Sequence, residues 1–96
     1  MLAYARVLPP GVKYAEYSIG RLVIGPGARK LGLGRAAMLE AIRRIALADG
    51  PAPIRLQAQE HLADTLYKPL GFERITGIYD DDGIPHVDMR RAAAKL

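Results

Sequence analysis

The stretch from Ile19 to Ile45 constrains this chain more than any other. Ile19-Gly20-Arg21-Leu22-Val23-Ile24 reads as a buried strand, and Gly25-Pro26-Gly27-Ala28 breaks it. Arg29-Lys30-Leu31-Gly32-Leu33-Gly34-Arg35 then leads into a long segment of helical periodicity. The first N–H groups of such a helix lack intrahelical acceptors and sit at the positive end of its dipole. Arg29, Lys30 and Arg35 add cations there, and Gly32 and Gly34 let a ligand approach the backbone without meeting a Cβ. Together these features make an anion site suited to a phosphate.

Three phosphate motifs compete for the stretch. Gly27 and Gly32 have P-loop spacing, but Leu33 and Gly34 stand where that motif needs Lys and Ser or Thr, so it is excluded. Gly32-Leu33-Gly34-Arg35-Ala36-Ala37 matches the dinucleotide pattern G-x-G-x-x-A, and Glu60 follows the next strand as a ribose-binding acid would. That fingerprint should follow its strand directly, whereas here Gly25 to Leu31 intervenes. The third pattern is Arg29-x-x-Gly32-x-Gly34 after a strand and a Pro-containing loop.

The third pattern resembles the GNAT N-acetyltransferases, and the resemblance strengthens downstream. Leu66-Tyr67-Lys68-Pro69-Leu70-Gly71-Phe72 is similar to the Tyr-x-x-x-Gly-Phe segment that ends the family's fourth helix. Arg6-Val7-Leu8-Pro9-Pro10-Gly11, Ala58-Gln59-Glu60-His61-Leu62 and Tyr79-Asp80-Asp81-Asp82-Gly83-Ile84-Pro85-His86 resemble one branch, the ElaA-like proteins. These motifs run in order from about Ala3 to Arg91.

Chain length supports a single domain over residues 1–96, with a core that buries only roughly 60–65% of the unfolded surface. Leu2 to Leu8 alternates as a strand and stops at Pro9-Pro10-Gly11, Val12 to Tyr17 is a polar connection, and Ser18 to Ile24 is the second strand. The helix is predicted from about Gly32 to Ala48, with Leu39, Ile42 and Ile45 as its apolar stripe and Leu33, Ala36 and Met38 beside it. Asp49-Gly50-Pro51 ends it. Ile54 to Gln59 is a third strand, and Glu60 to Leu70 a short helix distorted by Pro69. Phe72 to Tyr79 and Pro85 to Arg91 are predicted as a hairpin. The order β-β-α-β-α-β-β is an α/β arrangement on a mixed sheet. It corresponds to the later part of a GNAT-like acyl-CoA N-acyltransferase fold, and the resemblance implies that two strands and two helices are missing at the N-terminal side.

Cysteine is absent, which excludes disulfides and thiol chemistry. No apolar run is long enough to span a membrane and Met1 to Arg6 does not read as a signal peptide, so the expected location is cytoplasmic. A net charge of +4 suits a polyanionic ligand. The cations cluster at 29–35, 43–44 and 90–91 without interleaved aromatics, so nucleic acid is not the expected partner. Two distant histidines make no metal site, and Asp80-Asp81-Asp82 lacks the glutamate of a calcium loop, so no metal is expected.

The resemblance implies acetyl-CoA as cosubstrate and a primary amine as acceptor, the amine attacking the thioester directly. It places the diphosphate over Arg29, Lys30, Leu31, Gly32, Leu33, Gly34 and Arg35, and the pantetheine amides along a strand edge at Leu22, Val23 and Ile24. Tyr67 matches the family's helical tyrosine, a proton donor to the departing thiolate. The strand Ser18 to Ile24 contains no acid to serve as base and Glu16 lies outside it, so His86 is the candidate base or acceptor contact, ahead of His61. Two other readings stay open: a CoA-binding or interaction module without turnover, and a nicotinamide-dinucleotide domain. The absent partner of the first strand leaves an open sheet edge, from which a homodimer is expected.

Overall fold

Alternation along one strand sets the architecture. In Ile54–Gln59 the side chains of Ile54, Leu56 and Ala58 are buried, while Arg55, Gln57 and Gln59 point the other way. The computed structural model describes residues 3–24 and 30–93, with side chains at 5–20 and 32–93. Its elements are β1 (Ala3–Leu8), β2 (Tyr17–Ile24), α1 (Lys30–Asp49), β3 (Ile54–Gln59), α2 (Glu60–Leu62), β4 (Phe72–Arg74), β5 (Tyr79–Asp81) and β6 (Ile84–Arg91). A π turn, Ala63–Tyr67, and a 3-10 turn, Lys68–Leu70, continue α2. The strands form one mixed sheet in the order β1-β2-β3-β6-β4, with β5 also on β6. Among the described residues, β2 and β3 are the only parallel pair.

One face of this sheet carries the core. Ile19, Ile54, Leu56, Ala58, Val87 and Met89 meet Met38, Ala41, Ile42 and Ile45 of α1 and Ala63, Leu66, Tyr67 and Leu70 of the second helical stretch. Both helical segments thus cover the same face. Strand pairing sets Arg55 opposite Arg90, Gln57 opposite Asp88 and Gln59 opposite His86, so these six residues share the opposite, polar face.

Three expectations are corrected. First, α1 begins at Lys30 and its buried stripe is Met38, Ala41, Ile42 and Ile45, while Leu39 is 47% exposed and Ala36 is exposed. The spacing i, i+3, i+4, i+7 from Met38 fits one helical face, and Leu39 falls one step beyond it. Second, the helix expected over Glu60–Leu70 changes winding twice. Pro69 lacks an N–H and its ring opposes an α turn, so the chain closes with a 3-10 turn and then leaves through Gly71 at φ 95°. Third, the strand expected over Phe72–Tyr79 is divided into β4 and β5, which lie end to end along β6. Between them the Thr76 hydroxyl accepts the Asp88 N–H at 3.0 Å, taking the place of a strand carbonyl. The hairpin turn is tighter than the expected strand ends at Tyr79 and Pro85 imply: Asp80 and Asp81 extend β5, Ile84 opens β6, and Asp82 and Gly83, at φ 57° and 82°, link the Asp81–Ile84 pair, the geometry that an Asp-Gly turn favours. Leu2 of the first predicted strand, the predicted break over Gly25 to Ala28 and residues 94–96 lie outside the described residues.

The two neighbouring residues of α1 should therefore differ sharply in denaturant melts. Met38→Ala removes a fully buried side chain and should cost about 2–5 kcal/mol. Leu39→Ala should cost under about 1 kcal/mol, as substitutions outside the core do. Equal losses at the two positions would contradict the observed face.

Candidate functional site

The parallel strands β2 and β3 pair only at their first residues, Tyr17 with Ile54 and Ser18 with Arg55. Beyond Ser18 they diverge, although β3 stays paired to β6 through Gln59. The other edge of β2 shows the cause. Between the pairs Tyr4–Val23 and Arg6–Gly20, β2 uses one residue more than β1. That β-bulge bends β2 and increases its twist, carrying its second half away from β3. The wedge opens into a cleft of about 500 Å³, with Ile19 and Gly20 on one wall, Leu56, Gln57 and Gln59 on the other, and Tyr67 and His86 also lining it.

Tyr67 ends the π turn and is 6% exposed. Its ring packs edge-on against Phe72, with centroids 6.1 Å apart and planes at 76°. Burial raises its pKa, so the phenol keeps its proton at neutral pH. His86 is half-buried on the polar face, stacked 6.2 Å from the Tyr79 ring. Its Nδ1 lies 2.8 Å from the Ile84 carbonyl oxygen, which can only accept, so Nδ1 carries the proton. In the neutral ring Nε2 is then the acceptor. The structure thus brings Tyr67 and His86 to one cleft.

The phosphate-turn residues are placed less completely. Arg29 lies outside the described residues, and for Leu22, Val23, Ile24, Lys30 and Leu31 the description is of backbone only. Leu22, Val23 and Ile24 are in the diverging half of β2, and Lys30 to Arg35 form the first turns of α1. Leu33 is half-buried, Gly34 buried and Arg35 exposed. A Cβ built on Gly32 meets nothing within 4 Å. Glycine inside a helix costs roughly 0.5–1 kcal/mol against alanine, and here no protein atom among the described residues requires it. His61 is exposed and does not line the cleft.

Sequence reasoning overlooked a polar network beside the cleft. The Asp88 carboxylate accepts from Arg55 Nη2 at 2.7 Å and from the Tyr79 hydroxyl, and Gln57 Nε2 donates to that hydroxyl at 3.1 Å. Lys13 Nζ donates to Gln57 Oε1 at 3.0 Å, while Arg55 lies 4.4 Å from the Tyr14 ring centroid. Period-two alternation in Ile54–Gln59 was the available signal, because it sets Arg55 and Gln57 on one face. Burial pushes Asp88 up, but the hydrogen bonds from Arg55 and Tyr79 outweigh it and hold the carboxyl below its usual range. Burial, then the bond to Asp88, pushes Tyr79 up to about 12.

Comparison with known proteins decides the family. Residues 11–93 match the family described as the acetyltransferase (GNAT) domain. The chain belongs to the GNAT family. An acyl-CoA N-acyltransferase from Pseudomonas aeruginosa superposes with a TM-score of 0.85 at 40% identity, over 95% of this chain and 60% of that one. Escherichia coli ElaA superposes with a TM-score of 0.82 at 31% identity, over 94% of this chain and 60% of ElaA. A UPF0039 protein of Schizosaccharomyces pombe is 36% identical over 90 residues, 94% of this chain and 59% of its own length. The chain thus spans about three fifths of these GNAT relatives. The mixed α/β fold and the ElaA-like character expected from the motifs are those of the family. Among the described residues, no helix is long and apolar enough to cross a membrane.

The network makes a pH-dependent prediction. Asp88 is held below its ordinary pKa, so its contribution to stability is present above the usual carboxylate range and lost as pH falls through its folded value. Tyr79 is raised, so its contribution is present below its ordinary 10.0 and lost as pH rises through about 12. Asp88→Asn should cost about 1.5–3 kcal/mol, the range for hydrogen bonds to charged groups, and should lower the Tyr79 titration midpoint. Ultraviolet titration of the phenols and denaturant melts measure both. An unmoved Tyr79 midpoint would break the assigned coupling.

Proposed function

We propose that this GNAT chain binds acetyl-CoA in the β2–β3 wedge and transfers the acetyl group to a primary amine. The observation that carries this reading is the early end of β2–β3 pairing with Tyr67 on the cleft it leaves. A strand edge freed from its neighbour offers N–H and C=O groups to the amides of an extended ligand. Leu22, Val23 and Ile24 present that edge to pantetheine. Backbone N–H groups from Leu31 to Arg35 hold the diphosphate, aided by the charges of Arg29, Lys30 and Arg35.

In this reading the acceptor nitrogen attacks the thioester carbonyl carbon directly. The C–N bond forms and the C–S bond breaks, with no covalent enzyme intermediate. The nitrogen's surplus proton passes to His86 Nε2, the acceptor nitrogen left by the Nδ1 hydrogen bond to Ile84. Tyr67 gives its phenolic proton to the departing sulfur and is reprotonated from solvent. Its burial supports the role, since the raised pKa keeps the donor loaded. A second reading, CoA binding without turnover, is favoured by the polar sheet face, over which no helix lies among the described residues. A homodimer belongs to the same proposal: among the described residues β1 pairs only with β2, and a mainly apolar groove of about 790 Å³ beside it is lined in part by Ala5, Val7, Ala37 and Ile45. Light scattering over a dilution series would measure it, and a folded monomer at micromolar concentration would refute it.

Two substitutions test the ligand reading by calorimetric titration with CoA and by acetyl-transfer assays. Gly32→Ala should stabilise α1 by about 0.5–1 kcal/mol yet weaken CoA binding roughly tenfold or more, because the new Cβ occupies the ligand's approach. Tyr67→Phe should leave CoA affinity unchanged and lower turnover by roughly ten- to a thousandfold. No CoA binding by the parent chain would sink the acetyl-CoA reading. Binding with no turnover on any amine would select the second reading.

A further inference from the structure

The charges lining the cleft are of one sign. Arg6 and Lys13 line it, and neither an aspartate nor a glutamate is among its lining residues. Elsewhere on the same face the cations are neutralised locally. Arg55 pairs with Asp88 at 2.7 Å, and Arg90 with Glu16 at 3.0 Å. Both nearby carboxylates are therefore already engaged. Asp88 also accepts from the Tyr79 hydroxyl. Arg6 and Lys13 form no ion pair among the described residues. Lys13 is nonetheless held in place. Its ammonium donates to the uncharged Gln57 Oε1 at 3.0 Å and lies 5.4 Å from the Tyr14 ring centroid.

Two cations on the cleft wall that form no ion pair among the described residues, one of them held by Gln57 and Tyr14, favour an anionic group on the ligand and oppose a second cationic one. A guanidinium binds a carboxylate with two parallel hydrogen bonds, and an ammonium adds a point charge. The same field disfavours the protonated form of an amine bound beside it, which raises the fraction of free amine able to attack. A cleft of this charge thus supports amine chemistry without a carboxylate base, provided that the acceptor carries its own negative charge to hold it there.

We propose that the acceptor is a small amine that also bears a carboxylate, as an amino acid does, and that Arg6 and Lys13 bind that carboxylate. This rests on the acetyl-transfer reading above and names its acceptor class. The same field disfavours polyamines and other polycations.

The test has a binding arm and a turnover arm, both on the full chain. In the first, N-acetylglycine and N-methylacetamide, which differ by the carboxylate, are titrated into labelled protein without CoA and followed by amide chemical shifts. N-acetylglycine should shift the Arg6, Lys13 and Gln57 amides saturably, and N-methylacetamide should not. Arg6→Gln with Lys13→Gln should abolish the difference. Equal responses to the two probes, or none to either, would overturn the proposal whatever the outcome with CoA. In the second arm, amino acids are compared with the amines formed by their decarboxylation, and with spermidine. The amino acids should show at least tenfold higher kcat/KM. Lys13→Gln should raise the acceptor KM about tenfold and leave the acetyl-CoA KM unchanged. Preference for spermidine or for the decarboxylated amines would overturn the acceptor class while leaving acetyl transfer intact. Absence of CoA binding would instead remove the parent reading.

Discussion

An unfinished strand pairing governs the rest of this structure. Parallel strands gain from ladder hydrogen bonds, and leaving a stretch of β2 unpaired toward β3 exposes N–H and C=O groups that the fold must either wet or hand to a ligand. Two features hold the gap open. The bulge against β1 lets β2 keep a partner on one side while turning from the other. β3 is anchored independently by six paired residues on β6. The gap therefore does not depend on flexible loops. It is set between two strands, each fixed on its far side, which suits the long ligand proposed for it.

The two faces of the sheet divide the work. Apolar residues of β3 and β6 meet both helical segments, and this single layer supplies the core. The polar face spends its charges on internal pairs, Arg55 with Asp88 and Arg90 with Glu16, and on a hydrogen-bonded tyrosine. A mostly buried carboxylate such as Asp88 is tolerable only with partners on both oxygens, which it has. The network also fixes positions around the cleft. Tyr79 is held by Asp88 and Gln57, and the His86 ring stacks on Tyr79.

Much of the fold was legible because its signals are local. Period two marks Ile54–Gln59, Gly50 ends α1 at φ 65°, and Asp82-Gly83 makes a two-residue turn. The order of motifs identified the family, and the cleft brings together Tyr67 and His86, which sequence had named separately. What escaped depends on long-range partners. Leu39 and Met38 are equally apolar in sequence, and only packing against the sheet decides which one is buried. The break between β4 and β5 requires the Thr76 hydroxyl to meet the Asp88 N–H, a contact invisible to hydrophobic periodicity. The Asp88 network joins Lys13, Arg55, Gln57 and Tyr79 across four segments, and no spacing rule links them.

In the proposed reaction, packing and chemistry are reconciled at one residue, Tyr67. A proton donor for a thiolate must keep its proton until the sulfur departs, yet must reach the reacting atoms. Ordinary α-helical continuation would carry the chain on past this point at the same rise and phase. The π turn that ends at Tyr67 widens the winding there, and Pro69 prevents the α-helix from resuming behind it. The ring is thereby set against Phe72 within the core while the same residue contributes to the cleft wall. Burial gives the phenol its high pKa, and the change of winding gives it access. The irregular helix that looked like a defect forced by proline is what lets a core aromatic also face the wedge between β2 and β3.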